Sequence, residues 1–252
     1  MPADAHSGTP SVVITCEHGG DRVPPRYAGL LAAACRRLPI HRRHDPGALE
    51  LARRFAGQLD APLVVAPVTR LLVDLNRSPG TRSLFSSLTA QLDDATKQAI
   101  LERHYLPYRE RVERLLAEAI VRAGRVVHLS VHSFSPLFRG RGTHLWVRRT
   151  DVGLLYDPSS RCERQICRAW QAALRRLRPD LCLRRNHPYR GTADGLTTWL
   201  RGRFGRNRYA GIELEVSQRW PRGKRDAWHR LQQDLIETFS LAHHQWSGGS
   251  QD

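Results

Sequence analysis

Two histidines and a few carboxylates stand where apolar runs give way to turns. His18 follows Ser11–Cys16 (SVVITC) in the segment Cys16-Glu17-His18-Gly19-Gly20, and His132 closes Arg125–Val131 (RVVHLSV). Asp45 precedes Pro46 at the head of an amphipathic stretch. Two imidazoles and one carboxylate suit zinc, which in catalytic sites takes three protein ligands and leaves a position for water. Each imidazole would need an acceptor for its second ring nitrogen. Every one of these residues also has a bland use. A strand-end histidine can be a hydrogen-bonded structural group, and Asp before Pro can be a helix N-cap. Their joint placement is what suggests a metal, and Asp21, three residues after His18, is a rival carboxylate from the same loop.

A second group is acidic. In Glu213-Leu214-Glu215 the two carboxylates share one face of a strand, because alternate residues point the same way. Burying such a pair costs free energy unless it has partners. A base for an attacking water and a partner for an arginine would account for it; an exposed edge strand is the plain alternative. A third group is basic: Arg70, Asn76 and Arg77. The arginine fork suits a bidentate grip on a substrate carboxylate, and the asparagine adds an amide donor. The competing use is a structural ion pair such as Arg77 with Asp74. Cys16, two residues from His18, has the placement of a thiol nucleophile, against the simpler reading of a buried strand-end cysteine.

Such groups need a frame that brings distant segments together. Apolar, β-branched runs predict strands over Ser11–Cys16, Pro62–Pro67, Leu71–Leu75, Arg125–Val131, His144–Arg148, Leu181–Leu183 and Tyr209–Val216. Helical spacing of Leu49, Ala52, Phe55, Ala56 and Leu59 predicts a helix opened by Asp45-Pro46. Further helices are expected over Asp93–Ala123, with a kink or break at Pro107, and over Cys162–Leu177, Asp194–Phe204 and Lys224–His243. This alternation predicts an α/β fold of three layers, α/β/α, around a mixed sheet. In open α/β sheets ligands bind beyond the carboxyl ends of the strands, where His18, Asn76, Arg77 and His132 fall. No repeat or linker divides the chain. One domain over 11–245 is expected, with a disordered lead-in at 1–10 and a loose tail at 246–252.

Composition narrows the partners. The 252 residues carry a formal charge of +16, which invites a nucleic-acid reading. Lysine occurs only at Lys97 and Lys224, however, and arginine is scattered over every predicted helix, as compositional bias would leave it. An Arg-rich nucleic-acid-binding protein is the second alternative, and it leaves the acidic strand and the strand-end histidines unexplained. The five cysteines, at 16, 35, 162, 167 and 182, are odd in number and irregular in spacing. That argues against a disulfide framework and for a reducing cytoplasm. No apolar run approaches the roughly 20 residues that cross a bilayer, and Met1–Pro10 lacks the pattern of a secretory signal. No Gly-rich phosphate loop is present, so no nucleotide cofactor is expected.

Several blocks, in order, resemble the N-formylglutamate amidohydrolases. They are Cys16-Glu17-His18-Gly19-Gly20 with Val23-Pro24, Asp45-x-Gly47-Ala48, Arg70-Leu71-Leu72-Val73-Asp74-Leu75-Asn76-Arg77, Tyr105-x-Pro107-Tyr108, His132-Ser133-Phe134, Pro188-Tyr189-Arg190-Gly191 and Glu213-x-Glu215-x-x-Gln218. The resemblance runs from about residue 12 to 220 and implies a zinc carboxypeptidase-like, phosphorylase/hydrolase-type fold. It implies zinc held by His18, His132 and an acidic residue. Asp45 takes that position by its place at the helix start, whereas the related enzymes carry His-x-x-Glu, where this chain has Asp21. It further implies Glu215 as general base, with Glu213 left to the substrate side. Arg70 would polarise the scissile carbonyl, and Asn76 and Arg77 would clamp the carboxylate of a small-molecule substrate. The implied reaction is hydrolysis of the amide of an N-acyl amino acid. The first alternative is a related zinc hydrolase acting on another N-acyl amino acid or a peptide end.

Overall fold

The computed structural model describes residues 11–139 and 145–248. Six strands form one sheet: β1 (Ser11–Cys16), β2 (Leu63–Val65), β3 (Val126–Phe134), β6 (Val152–Leu155), β7 (Leu183–Arg185) and β8 (Tyr209–Ser217). Their order across the sheet is β2-β1-β3-β8-β6-β7. β1 runs parallel to β2 and β3, and β3 parallel to β8. β6 is antiparallel to β8, which makes the sheet mixed, and β7 is parallel to β6. A separate antiparallel pair, β4 (Leu137–Arg139) and β5 (Leu145–Val147), follows β3. The expected strand at 144–148 is β5; His144 itself lies outside the described residues.

The helices are α1 (Ala28–Arg37), α2 (Ala48–Leu59), α3 (Asp94–Ile100), α4 (Leu106–Ala123), α5 (Arg161–Leu177), α6 (Leu196–Phe204) and α7 (Arg225–Gly248). They cover both faces of the sheet, the three-layer arrangement expected. On one face Ile14, Leu129, Val131, Ile212, Leu214 and Val216 pack against Leu51 and Phe55 of α2, Ile166 and Trp170 of α5, and Leu235 and Phe239 of α7. Trp170, Phe55 and Phe239 meet edge to face, with ring centroids 4.9–6.3 Å apart, the arrangement ring quadrupoles favour. On the other face Val13, Val126 and Tyr209 pack beneath Val112 and Leu116 of α4 and Leu196 and Leu200 of α6. No helix among the described residues is long and apolar enough to cross a membrane.

Alternation along the strands sets where the chemistry sits. Ser130 pairs with Glu213, and His132 with Glu215, in the β3–β8 register. The face that is apolar at Val126 and Tyr209 therefore turns polar towards the strand ends.

Three local expectations differ from the structure, and one plain alternative is removed. Leu71–Leu75 is a buried turn, not a strand. Its apolar side chains reported burial, but its backbone is satisfied by Ser86 Oγ donating to Leu71 O (2.6 Å), Thr89 Oγ1 donating to Leu72 O (3.0 Å) and Asp74 N donating to Leu84 O (2.8 Å). Asp45 does not cap α2. The cap is Gly47, at φ 82°, where a Cβ would also lie 2.6 Å from Pro221 Cβ. β8 is an inner strand between β3 and β6, so its acidic pair is not on an exposed edge. α7 continues past His243 to Gly248, into the stretch expected to be a loose tail. Pro107 does mark a break: the π-helical turn Leu101–Tyr105 separates α3 from α4 just before it. α1 and β6 had no clear signature in the sequence.

Candidate metal centre and active site

β1 ends at Cys16, and the chain turns over Glu17 and His18. The turn passes tightly beneath the segment after β2, since a Cβ on Gly20 would sit 2.2 Å from Ala66 O. The backbone N–H of Asp45 then donates to His18 O at 2.9 Å, docking the entry to α2 on this turn. β3, next to β1, brings His132 to the same end. The side chains of His18, Asp45 and His132 converge: one ligand atom from each lies within 4.8 Å of the other two, and all three residues are buried.

The second nitrogen of each ring is already engaged. His18 Nε2 donates to Asp74 Oδ1 at 2.7 Å, and His132 Nε2 to Glu17 Oε2 at 2.9 Å. Both Nδ1 atoms consequently face Asp45 Oδ2, at 3.4 Å for His18 and 3.1 Å for His132. Partners of this kind fix tautomer and ring orientation in metal-binding histidines. His18 Nδ1 is buried with no hydrogen-bond partner, and an orphaned lone pair in a dry site carries a cost that a cation would relieve. Two ring nitrogens, one of them this orphan, and a carboxylate oxygen fit a divalent metal.

The electrostatics agree. Burial opposes ionisation of Asp45, but the charge of His18 and the hydrogen bond and charge of His132 outweigh it, and its carboxyl is held well below the usual range. Glu17 is also held low: burial is overcome by the hydrogen bond and charge of His132, with a hydrogen bond from Ser130. Burial alone would lower His132, yet the carboxylates of Asp45 and Glu17 push it well above the ordinary histidine value.

Around it, Arg70 Nη2 donates to Asp74 Oδ2 at 2.7 Å, with Nη1 3.6 Å from Asp45 Oδ1. Glu215, the register partner of His132, is buried, and its Oε2 has no hydrogen-bond partner. Burial, with Asp45 and Glu213 adding repulsion, pushes its carboxyl up to about 8 despite the charge of His132. Glu213 lies one pleat earlier, where its Oε1 accepts from Thr197 Oγ1 of α6 at 2.6 Å. Asn76 Oδ1 accepts from Leu196 N at 2.6 Å, and its Nδ2 is 3.5 Å from His132 Nε2. Arg77 Nη1 donates to Asn76 O and to Asp194 O.

The sequence model of the N-formylglutamate amidohydrolases matches residues 10–220. The chain belongs to the N-formylglutamate amidohydrolase family. Among solved structures it is similar to a gene product from Agrobacterium tumefaciens, with 27% identity and a TM-score of 0.77 over 95% of this chain and 93% of that one. It also shares the fold of the N-formylglutamate amidohydrolase from Ralstonia eutropha JMP134, with 20% identity and a TM-score of 0.67 over 92% of this chain and 93% of that one. No curated protein matches it.

Within this amidohydrolase, the two rival site residues are otherwise engaged. Asp21 is outside the His18–Asp45–His132 group and pairs through both oxygens with Arg43. Cys16 is buried on the opposite side of β1 from Glu17, among the side chains against α2. Burial and the nearby Glu17 and Asp45 push its thiol up, away from thiolate chemistry. Sequence reasoning missed the roles of Glu17, Ser130 and Tyr108. Ser130 Oγ donates to Glu17 Oε2 at 2.6 Å and Tyr108 OH to Glu17 Oε1 at 3.2 Å. The available signal was alternation, which puts Ser130 on the face of His132; the bond to Glu17 required the strand register.

Proposed function

We propose that the protein is a zinc-dependent amidohydrolase that cleaves the amide of an N-acyl amino acid bearing a free carboxylate, with N-formylglutamate as the first substrate to test. The convergence of His18, Asp45 and His132, beside an unpartnered Glu215, carries this reading. Zinc is favoured over harder cations because two of the three donors are imidazoles. A zinc ion held there would act as a Lewis acid and make a water acidic enough to attack near neutral pH.

The chain's own groups supply the rest. Glu215 Oε2 takes the proton of the attacking water and passes it to the leaving nitrogen. A carboxyl whose proton affinity lies near the working pH suits a group that must do both. Arg70, anchored on Asp74, directs its cationic end at the developing oxyanion. Such a donor typically contributes about 3 kcal/mol. Asn76 and Arg77 hold the substrate carboxylate, which fixes the distance from carbonyl to water. The family membership supports the reaction class, and the basic Arg70–Arg77 side supports an anionic substrate.

The test is hydrolysis of N-formyl-L-glutamate alongside N-acetyl, N-succinyl and other N-acyl amino acids, before and after chelation. Zinc-dependent release of glutamate is expected. Full turnover in metal-free protein would remove the metal from the mechanism, and turnover of another N-acyl amino acid alone would reassign the substrate.

A further inference from the structure

Asp74 belongs to neither the metal ligands nor the substrate clamp, yet it touches both. Its Oδ1 accepts from His18 Nε2 at 2.7 Å and from the backbone N–H of Asn76 at 3.0 Å. Its Oδ2 accepts from Arg70 Nη2 at 2.7 Å. The residue is buried, and its backbone is fixed by Asp74 N donating to Leu84 O and Arg77 N donating to Asp74 O. Glu17 is its counterpart for His132, but the other hydrogen bonds of Glu17 come from Ser130 and Tyr108 and not from an arginine. The two carboxylates are alike towards the histidines and unlike beyond them.

We propose that Asp74 is a positioning residue shared by the metal ligand His18 and the substrate-facing Arg70, so that one carboxylate orients both halves of the site. This rests on the metal-dependent reading above. A carboxylate can do this because each oxygen is an acceptor. An asparagine of the same shape has one acceptor and one donor, so it serves His18 or Arg70 but not both. Glu17→Gln offers the matched comparison, since it disturbs a histidine partner without touching an arginine.

The full-length chain, stripped of metal, is titrated with Zn2+ against a chromophoric chelator as wild type, Asp74→Asn and Glu17→Gln. Both variants are expected to bind zinc about 10- to 100-fold more weakly. At saturating zinc, KM and kcat are then measured with N-formyl-L-glutamate, or with whichever N-acyl amino acid the panel above returns. Asp74→Asn is expected to lower kcat/KM at least about tenfold further, as Arg70→Met does, with no additional loss in the double variant, because residues that act as a unit are not additive. Glu17→Gln is expected to keep the wild-type KM. Wild-type zinc affinity in Asp74→Asn, or additive losses with Arg70→Met, would overturn the proposal. Wild-type protein that binds no zinc would instead overturn the reading on which it rests. If Asp74→Asn does not fold, nitrogen-15 histidine spectra of zinc-loaded wild type decide. A protected Nε2–H on His18 is expected, and an Nδ1–H tautomer refutes the role.

Discussion

His132 and Glu215 face each other across one register step of the sheet, on the adjacent parallel strands β3 and β8. Strand pairing, not a loop, fixes the spacing between a metal-ligand candidate and a protonatable carboxyl. Both are buried, and one acts on the other: burial, Asp45 and Glu213 hold the Glu215 carboxyl up at about 8, against the charge of His132, which draws it down. Sites mounted on paired strands keep their geometry better than sites on loops.

Glu215→Gln should therefore lower kcat by about 10²- to 10⁴-fold, the usual contribution of a positioned acid–base group, while zinc content stays at the wild-type level. Glu213→Gln should do less, because Glu213 Oε1 is engaged by Thr197. Steady-state kinetics with parallel metal analysis checks this. A larger loss in Glu213→Gln would transfer the role.

Asp45→Ala should lose zinc on dialysis, and Asp21→Ala should keep it, since the Asp21 carboxylate is bound to Arg43. Metal content by atomic emission settles the matter. Retention in the first variant with loss in the second would move the third ligand to the first loop.

Arg77→Met should raise KM for carboxylate-bearing substrates about 10- to 100-fold, the scale of one lost charge-assisted hydrogen bond. The same variant should leave hydrolysis of a substrate whose carboxylate is amidated nearly unchanged. Equal effects on both substrates would show that Arg77, which also braces Asp194 O, has a structural role.

His128 gives a pH-dependent prediction away from the ligands. It is fully buried between Thr15 Oγ1 (2.8 Å) and Tyr209 OH (2.6 Å). Burial lowers its pKa to about 4, with Glu17 opposing and Arg201 assisting. The folded ring stays neutral where the unfolded ring, near 6.5, takes up a proton. The unfolded state then binds more protons, so this residue's contribution falls as pH drops from about 6.5 to 4, by up to ~3 kcal/mol. Urea melts of wild type and His128→Asn should show wild type losing about 2 kcal/mol relative to the variant between pH 7 and 5. A gap that does not change with pH would show that His128 is not held neutral.

Local patterns in the chain specified the layers and most of the residues that meet at the site. Alternating apolar runs and helical faces specified an α/β/α sandwich. The two-residue period placed Glu213 and Glu215 together, and the ordered blocks from Cys16 to Gln218 pointed to the family that the match over residues 10–220 then established. These are local signals: periodicity and motif order survive without knowledge of what packs on what. The partners of those residues follow from strand order and packing. Glu17 adjoins His18 in the chain yet serves His132, because β1 pairs with β3; His18 takes Asp74, 56 residues away. Leu71–Leu75 looked like a strand because burial and extended pairing both call for apolar residues, but its backbone is satisfied by the hydroxyls of Ser86 and Thr89 and by Leu84 O, not by a neighbouring strand. Asp45 is free to face the histidines because Gly47, at a positive φ, starts the helix in its place. A hydrogen bond between residues dozens of positions apart is set by strand order and register, and no local pattern in the chain encodes either.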